Sequence, residues 1–323
     1  MTPQQSPSQV RVQDPILTTH AHGYRHMERV APLLFPLVRV FVSGGQVLEF
    51  DKSSFRKYNS RRAPGAGTKR INFGYLGKPF ALIQDALESP LPREFMRDAA
   101  VTPGIDLGKQ RTNGLMSHAT LQHEIESADI ATSTSSYASN NRLALSGSTQ
   151  FSHADSDPVS IIEEGREAVR SQVGAYPNVC IAGPKPHKAF KNNARVIDRF
   201  KYTTPESITP AMLAQLIEVE RYAVGTSVWV NDADENVDVW GNNIILAYVP
   251  PEIINLEARY APNDMLTFET PSYGYTYVMD GHPVMEEPYY EKNAKSWIYG
   301  YTFERAAVLT GMGAGYLLSN VAA

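Results

Sequence analysis

One apolar run constrains the fold of this chain more than any other feature. Residues 244–249 read Ile-Ile-Leu-Ala-Tyr-Val, and Pro250 and Pro251 follow directly. A half-exposed strand alternates apolar and polar residues, whereas a strand covered on both faces is apolar throughout. The run therefore predicts a central strand with structure packed on each side. Residues 177–183 form a second short apolar run between turn residues, which predicts another buried strand.

Around these two runs the sequence predicts a compact α/β unit over residues 176–251. The other expected elements are a helix over 187–192, a strand over 196–202, a helix that begins at Thr209 and Pro210, a strand over 224–230 and a polar loop over 231–243. Threonine is a good helix cap, and proline fits the first helical position because the first N–H groups have no helical partner. Leu213, Leu216 and Ile217 share one face of that helix.

Outside this unit the sequence predicts long, extended elements. Residues 1–14 are polar and form a predicted mobile arm. Residues 30–42 are apolar but contain Pro32 and Pro36, so we expect an extended segment and not a helix. Residues 106–131 predict one helix of roughly 26 residues, about 40 Å long at about 1.5 Å per residue. Its expected apolar stripe is narrow and contains Leu107, Leu115, Leu121, Ile125 and Ala128.

The remaining segments predict a loop, two further helices and several late strands. Residues 93–99 and a segment that begins at Asp157 and Pro158 predict helices, and the Ser/Asn-rich residues 133–156 between them predict a loop. After Pro251 the sequence predicts strands over 265–268, 273–279 and 296–303. We expect these late strands to pair with strands from much earlier in the chain.

The charges of the chain are unevenly divided. Residues 1–80 contain 12 Lys and Arg against 4 Asp and Glu, a net charge of +8, and because the whole chain carries −4 the remainder carries −12. Residues 52–84 contain no acidic residue, and predicted strands over 46–50 and 70–75 form a ribbon around the basic stretch. A two-stranded ribbon cannot bury a core by itself. We expect it to lie on the acidic part of a neighbouring copy.

Two other interpretations of the ribbon stay open. It can be a disordered basic loop, or it can be a hairpin that binds nucleic acid. The second interpretation needs aromatic side chains on which bases stack. Such residues are sparse here: Phe55, Tyr58, Phe73 and Tyr75. The net charge of −4 also gives the chain as a whole no nucleic-acid signature.

The composition excludes several classes of protein. A single cysteine cannot form an internal disulfide or a cysteine-rich zinc site, and it suits a reducing cytoplasm. The sequence contains no run of about 18 apolar residues, so no membrane span is predicted. The first residues lack the charged and then apolar layout of a signal peptide. With 42% apolar residues, the 323-residue chain can bury a sizeable core.

Three histidines are the candidates for metal chemistry. His20, His22 and His26 follow an apolar run, an arrangement that occurs in the first metal-binding strand of metal-dependent amidohydrolases. That fold needs about eight strand–helix repeats, and the ribbon and the helix-free tail of this chain do not provide them. The alternative interpretation is polar histidines near a flexible arm.

Other sequence features favour structural interpretations. The acidic residues 232–238 resemble a calcium loop, but Val237 and Asn243 stand where that loop needs glycine and glutamate, which favours an acidic hairpin tip. The glycines of residues 311–315 predict a tight turn or a close backbone contact, and Cys180 is expected to be an inert core residue. No catalytic residue, cofactor site or metal site is predicted.

The order of these parts resembles that of a known protein family. An arm, a basic ribbon, a long helix and a compact α/β unit follow one another along most of the chain. Four stretches add local similarity: residues 177–183 (PNVCIAG), 239–248 (VWGNNIILAY), 271–277 (PSYGYTY) and 296–301 (SWIYGY). In layout and in these stretches the chain resembles the major capsid proteins of tailed bacteriophages, which have the HK97-like fold.

This resemblance implies an α+β, HK97-like capsid fold with defined parts. An N-terminal arm would cover residues 1–43, and an extended loop, a β-ribbon, residues 44–83. A peripheral domain would cover 84–156 and 256–323 and include a spine helix at about 106–131, and an axial domain would cover 157–255. The basic residues of the extended loop that we expect to contact a neighbouring subunit are Lys52, Arg56, Lys57, Arg61, Arg62, Lys69 and Arg70.

The resemblance also implies a function. The chain would be a head shell protein and not an enzyme. Pentamers and hexamers of it would build an icosahedral virion capsid around double-stranded DNA, without sequence-specific contact and without a membrane. Assembly would take place in the bacterial cytoplasm, with portal, scaffolding or protease and decoration proteins as further partners. The alternatives are an encapsulin-type compartment shell, which has the same fold but loads a protein cargo, and a metal-dependent hydrolase.

Overall fold

The structure, a computed structural model, describes residues 14–24, 29–49, 61, 76–99, 106–200, 208–250 and 272–323. Its helices are α1 (Pro15–His22), α2 (Ala31–Leu34), α3 (Arg93–Ala99), α4 (Leu107–Thr132), α5 (Pro158–Val173), α6 (Pro184–Asn192), α7 (Ala194–Phe200) and α8 (Pro210–Leu216). Its strands are β1 (Leu37–Val40), β2 (Gly44–Glu49), β3 (Leu76–Ala81), β4 (Ile83–Pro92), β5 (Arg142–Ala144), β6 (Val179–Ala182), β7 (Arg221–Val224), β8 (Val228–Val230), β9 (Asn236–Asp238), β10 (Asn243–Ala247), β11 (Gly274–Met279), β12 (Val284–Met285), β13 (Tyr289–Glu291), β14 (Ser296–Leu309) and β15 (Gly315–Ser319). The strands predicted over 70–75 and 265–268, and the arm up to residue 13, lie outside the described residues.

A five-stranded sheet lies at the centre of the predicted α/β unit. Its strand order is β5-β15-β10-β6-β7, and β10 is antiparallel to both β15 and β6. Ile244 and Leu246 of β10 pack against the layer of helices α5 to α8, whereas Ile245 and Ala247 pack on the opposite side with α4 and β11. The prediction of a central strand covered on both faces is therefore confirmed. β5 and β15 extend this sheet beyond residues 157–255, because β15 pairs with both β10 and β5.

The strand predicted over 196–202 is wrong, because Ala194–Phe200 forms helix α7. The Arg195 amide donates to Asn193 Oδ1 at 3.0 Å at the start of this helix. Val196 and Phe200 are spaced as i and i+4, so they lie on one helical face and pack into the helix layer. Short apolar patterns of this kind fit a strand and a helix equally well.

Trp240 explains why residues 224–230 form two strands and not the single strand predicted. The indole is fully buried and lies against Gly225, where a Cβ would come within 2.1 Å of Trp240 Cδ1. Gly183 also has no room for a side chain, since a Cβ there would lie 2.0 Å from the Gly241 carbonyl oxygen. β7 therefore ends at Val224, and β8 pairs with β9, a strand within the residues 231–243 that were predicted as a loop.

β14 organises a second, six-stranded sheet. Along one edge it pairs with β4 from Ser296 to Arg305, and along the other it pairs with β13, β12 and β11 in succession. β1 then pairs with β11 in parallel. The expectation that late strands pair with much earlier ones is confirmed.

The long helix predicted over 106–131 is confirmed as α4, which Asp106 caps through a hydrogen bond to the Lys109 amide. Its buried face differs from the predicted stripe, because Leu107, Leu121 and Ile125 are only half-buried. The buried residues are mostly small or polar: Thr112, Leu115, Met116, Ala119, Thr120, His123, Glu124, Ser127, Ala128 and Ala131. This composition is tolerated because the polar groups find partners on the neighbouring elements.

Glu124 joins three parts of the chain near the middle of α4. Its Oε1 accepts from the Val30 amide at 3.0 Å and from Trp240 Nε1 at 2.7 Å, and its Oε2 accepts from the Ala31 amide at 2.8 Å. These two amides belong to the start of α2, whose first N–H groups have no helical partner. Burial raises the pKa of Glu124, and the three donors oppose that shift. One carboxyl group thus holds the N-terminal segment and the five-stranded sheet unit on α4.

Arg305 and His123 hold the six-stranded sheet on the same helix. The Arg305 side chain is 1% exposed and lies 2.7 Å from Asp85 on β4 and 2.9 Å from Glu126 on α4. His123 Nε2 lies 2.9 Å from Thr276 Oγ1 on β11, and burial together with the charge of Arg305 lowers the pKa of His123 to about 3. His123 is therefore a neutral partner at physiological pH, while Arg305 carries the buried charge.

The segment 30–42 is partly helical, which corrects the expectation of an extended chain. Ala31–Leu34 forms α2 although it contains Pro32, because the first helical turn does not need the missing N–H. β1 follows as an extended strand. Residues 133–156, predicted as a loop, also contribute the short strand β5.

Two glycines within helices give a first test of this packing. A Cβ on Gly165 of α5 would lie 2.8 Å from the Tyr316 ring, whereas a Cβ on Gly114 of α4 would meet no atom of the described residues within 4 Å. We expect Gly165→Ala to lower the free energy of unfolding by about 1–3 kcal/mol through overpacking. Gly114→Ala should raise it by about 0.5–1 kcal/mol, because alanine favours the helix. Chemical denaturation of the unassembled protein measures the free energy of unfolding of each variant. Equal stability of the two variants would contradict the packing of α5 on β15.

A double-mutant cycle tests the Glu124 contact. Glu124→Gln keeps the shape of the side chain but replaces one acceptor oxygen with an N–H donor that faces backbone amides, so we expect a loss of about 1–3 kcal/mol. Trp240→Phe removes the indole N–H donor and leaves a cavity where part of the buried ring lay, a loss that does not depend on Glu124. The two losses should be non-additive by at least about 0.5 kcal/mol, since the residues share a hydrogen bond. Asp129→Asn, on an exposed position of the same helix, is the control with little expected effect. Additive losses would show that the bond does not couple the two parts.

Candidate functional site

Two of the three histidines considered for a metal site, His20 and His22, hydrogen-bond to separate protein groups. His20 Nε2 lies 2.9 Å from Asn113 Oδ1 on α4, and His22 Nε2 lies 2.8 Å from the Pro283 carbonyl oxygen. Burial lowers the pKa of His22. His26 lies outside the described residues. Among the residues that the structure describes, no three His, Cys, Asp or Glu side chains converge as metal ligands would. His20 and His22 attach α1 to its neighbours.

Three other sequence features take the structural roles predicted for them. The acidic residues form a hairpin tip, in which Asn231 Oδ1 accepts from the amides of Ala233 and Glu235, both at 2.9 Å. The glycine-rich segment contains a close contact, since a Cβ on Gly315 would lie 2.3 Å from the Tyr273 ring. Cys180 is fully buried, and burial raises the pKa of its thiol, so the thiolate form is disfavoured.

The basic ribbon is described only at its base. Lys52, Arg56, Lys57, Arg62, Lys69 and Arg70 lie outside the described residues, and Arg61 is exposed. β2 pairs with β3 from Gly44 to Glu49, so the described part of the second strand of the ribbon is Leu76–Ala81. Phe80 of β3 stacks on Tyr277 of β11, with ring centroids 4.6 Å apart. The ribbon is thus anchored at the six-stranded sheet.

Several exposed aromatic side chains lie at one end of the six-stranded sheet. Tyr289 is 50% exposed, Trp297 37% and Phe95 on α3 56%. α3 begins beside the β13–β14 turn, because the Arg93 amide donates to the Lys295 carbonyl at 3.2 Å. Aromatic residues are enriched where proteins contact one another. This end of the sheet is therefore a candidate contact surface.

The β8–β9 ribbon is a second exposed apolar surface, and sequence analysis missed it. Val228, Trp229 and Val230 are 48%, 37% and 55% exposed, so both faces of β8 are open in a single copy. The alternation of Val224, Thr226, Val228 and Val230 with Gly225, Ser227 and Trp229 predicts a single strand over 224–230. Gly225 was the available signal, because a glycine within a strand pattern often marks a break or a close backbone approach.

Helices α6 and α7 carry an exposed basic surface. This basic patch consists of Lys185, Lys188, Lys191, Arg195 and Arg199, on a part of the chain, residues 81–323, that carries a net −12. Within the described residues the recorded ion pair of the patch joins Arg195 to Asp157 at 3.3 Å. A cavity of about 580 Å³ opens beside Lys185 and Lys188 and is also lined by residues 151–154.

Within the residues that the structure describes, none of the helices combines the length and apolar character that crossing a membrane requires. The candidate contact surfaces are the ribbon base, the exposed aromatic end of the six-stranded sheet, the β8–β9 ribbon and the basic patch.

Comparison with known proteins agrees with this architecture. No family model matches the chain. It is 34% identical over 315 residues to the major capsid protein of Burkholderia phage BcepMu, an alignment that covers 97% of this chain and 98% of the relative. The crystal structure of a phage-related protein from Bordetella bronchiseptica RB50 is 42% identical, with a TM-score of 0.81 over 97% of this chain and 98% of that one.

A distant neighbour shares the fold alone. The capsid of cyanophage P-SCSP1u is 8% identical and has a TM-score of 0.56 over 88% of this chain and 86% of that one. The similarity to the curated major capsid protein implies a structural role in a virion shell. Because its similarity to a curated capsid protein extends over nearly the whole of both chains, this chain belongs to the phage major capsid proteins with the HK97-like fold.

Proposed function

We propose that this protein self-assembles into an icosahedral phage head that encloses double-stranded DNA. The observation that carries the proposal is the similarity to a phage major capsid protein along 97% of the chain. Subunits would group into pentamers and hexamers around five-fold and six-fold centres. Each contact can be weak, because every copy makes many of them and their effects combine.

The proposed parts are an N-terminal arm (1–43), an extended loop (44–83), a peripheral domain (84–156 and 256–323) and an axial domain (157–255). The two sheets support this division, with β14 in the peripheral domain and β10 in the axial domain. The axial sheet is completed by β5 and β15 from outside 157–255. α4 would serve as the spine helix, since Glu124 and Arg305 tie both sheets to it.

In this proposal the basic ribbon lies over the acidic body of an adjacent subunit. The charge of +8 in residues 1–80 against −12 in the remainder supports an electrostatic contact between copies. The stacking of Phe80 on Tyr277 anchors the ribbon at its base, and in this proposal its distal part would reach a neighbour. The arm would reach across another subunit.

The work of the protein would be mechanical, without a catalytic residue or cofactor. Portal, scaffolding or protease and decoration proteins would be its further partners, and assembly would take place in the bacterial cytoplasm. Packaged DNA would be enclosed without sequence-specific contact. An encapsulin-type shell would differ in its contents, because it would hold a protein cargo.

Negative-stain electron microscopy and size-exclusion chromatography of the purified protein test self-assembly. We expect closed shells, or rings of five and six copies. Particles recovered from phage-producing cells should contain double-stranded DNA that is protected from nuclease. A monomer or dimer that persists at high protein concentration would contradict the proposal, and particles filled with a protein cargo would favour the compartment shell.

Charge reversal on the ribbon tests the contact between ribbon and body. Arg61→Glu combined with Arg62→Glu should reduce particle yield strongly and leave the thermal unfolding of the unassembled chain nearly unchanged, because the contact exists only between copies. Arg61→Lys with Arg62→Lys keeps the charge and should assemble normally. Particle yield by sedimentation measures the effect, and a normal yield from the reversed variant would refute an electrostatic ribbon contact.

A further inference from the structure

We propose that the β8–β9 ribbon of one subunit docks on the basic patch of the adjacent subunit and so links copies head to tail within a ring. This inference rests on the proposed function and specifies one of its contacts. It follows from two surfaces of the axial domain that are left uncovered in a single copy and that match each other in charge and in apolar character.

The first surface is the ribbon with its acidic tip, which consists of Asp232, Asp234, Glu235 and Asp238. Residues 231–238 carry a net charge of −4 without any Lys or Arg. The tip is preshaped, because Asn231 Oδ1 accepts from the amides of Ala233 and Glu235 within the turn. Among the described residues, no ion pair is recorded for any of the four carboxylates of the tip.

The apolar side chains of the ribbon are exposed to solvent in a single copy. Val228 and Val230 lie on one face of β8 and Trp229 on the other, and all three are substantially exposed. A two-stranded hairpin alone is marginally stable in water, so an exposed ribbon gains stability when another surface packs on it. The occupant must therefore offer apolar contact together with positive charge.

The second surface meets both requirements. Residues 184–200 carry a net charge of +4, from the five basic residues of the patch and Asp198. Ile197, between Arg195 and Arg199, is 47% exposed and supplies apolar area within the patch. The cavity of about 580 Å³ beside Lys185 and Lys188 has apolar wall residues, Phe151 and Ala189, next to its basic rim.

The geometry favours a contact between copies over one within a copy. The structure records no ion pair between the tip and the patch in the described part of the chain. Two different surfaces of the same subunit that match each other produce a head-to-tail contact, and such contacts close into rings when the rotation between copies allows it. The phosphates of DNA would also match the patch in charge, but DNA would leave the apolar ribbon uncovered.

Complementary charge reversal tests the contact. A tip-reversed variant carries Asp232→Lys, Asp234→Lys and Glu235→Lys, which changes the net charge of the tip from −4 to +2. A patch-reversed variant carries Lys185→Glu, Lys188→Glu and Arg199→Glu, which changes the net charge of residues 184–200 from +4 to −2, and all six positions are exposed. Each variant alone should remain folded by circular dichroism but lose at least tenfold in ring and shell yield by sedimentation and electron microscopy. An equimolar mixture should recover rings with an even number of copies, because each altered tip then meets an altered patch of opposite charge.

The control carries the same change of charge as the tip-reversed variant, elsewhere on the axial domain. The substitutions Glu163→Lys, Glu164→Lys and Glu167→Lys, all exposed on α5, should leave assembly like that of the wild type. Wild-type yields from both reversed variants would overturn the docking contact and leave the proposed shell function intact. If patch reversal lowers only the nuclease-protected DNA while tip reversal has no effect, the patch binds phosphate and the inference is wrong. A wild-type chain that never assembles would overturn the proposed function itself and this contact with it.

Crosslinking gives a second readout that does not depend on charge. Cys180, the single cysteine of the chain, is buried and should not react with a crosslinker. Asp232→Cys and Lys188→Cys therefore introduce the accessible thiols. A bismaleimide should link the doubly substituted protein into a ladder of multiples on a denaturing gel. A mixture of the two singly substituted proteins should yield dimers. A doubly substituted protein that crosslinks only within its own chain would contradict the head-to-tail contact.

Discussion

The buried carboxyl group of Glu124 is the contact on which the arrangement of this subunit depends. It accepts from the first amides of α2 and from the indole of Trp240, so one side chain of the long helix holds both the N-terminal segment and the five-stranded sheet unit. Burying such a group is costly unless its hydrogen bonds are made. The cost makes the arrangement specific, because a displaced α2 or Trp240 would leave the carboxyl group without a donor.

The small and polar face of the long helix follows from the same constraint. A helix that packs between two sheets needs a surface that allows close approach on both sides, and alanine, serine and threonine provide it. Arg305 adds a buried charge that reaches β4 and α4 together, and His123 reaches β11. Specific polar contacts therefore fix the position of each sheet on α4, while the burial of apolar side chains between these elements stabilises the folded subunit.

The surfaces that a single copy leaves open have the character of subunit contacts. Aromatic residues are exposed at the end of the six-stranded sheet, and valines and a tryptophan are exposed on the β8–β9 ribbon. A chain that functions alone would gain by covering them or replacing them with polar residues. In a shell protein, exposed apolar area of this kind is what neighbouring copies can bury.

The sequence by itself determined the elements whose signals are local. The apolar run of β10, the caps at Asp106, Asp157 and Thr209, and the long helix α4 could all be read from neighbouring residues. Only the tertiary structure decided what depends on distant partners. It made residues 194–200 the helix α7, because the spacing of Val196 and Phe200 fits a strand as well as a helix. It also divided β7 from β8, because Trp240 occupies the space beside Gly225. It also placed a carboxyl group, an arginine and a histidine on the buried face of α4, since their hydrogen-bonding partners lie far away in the sequence.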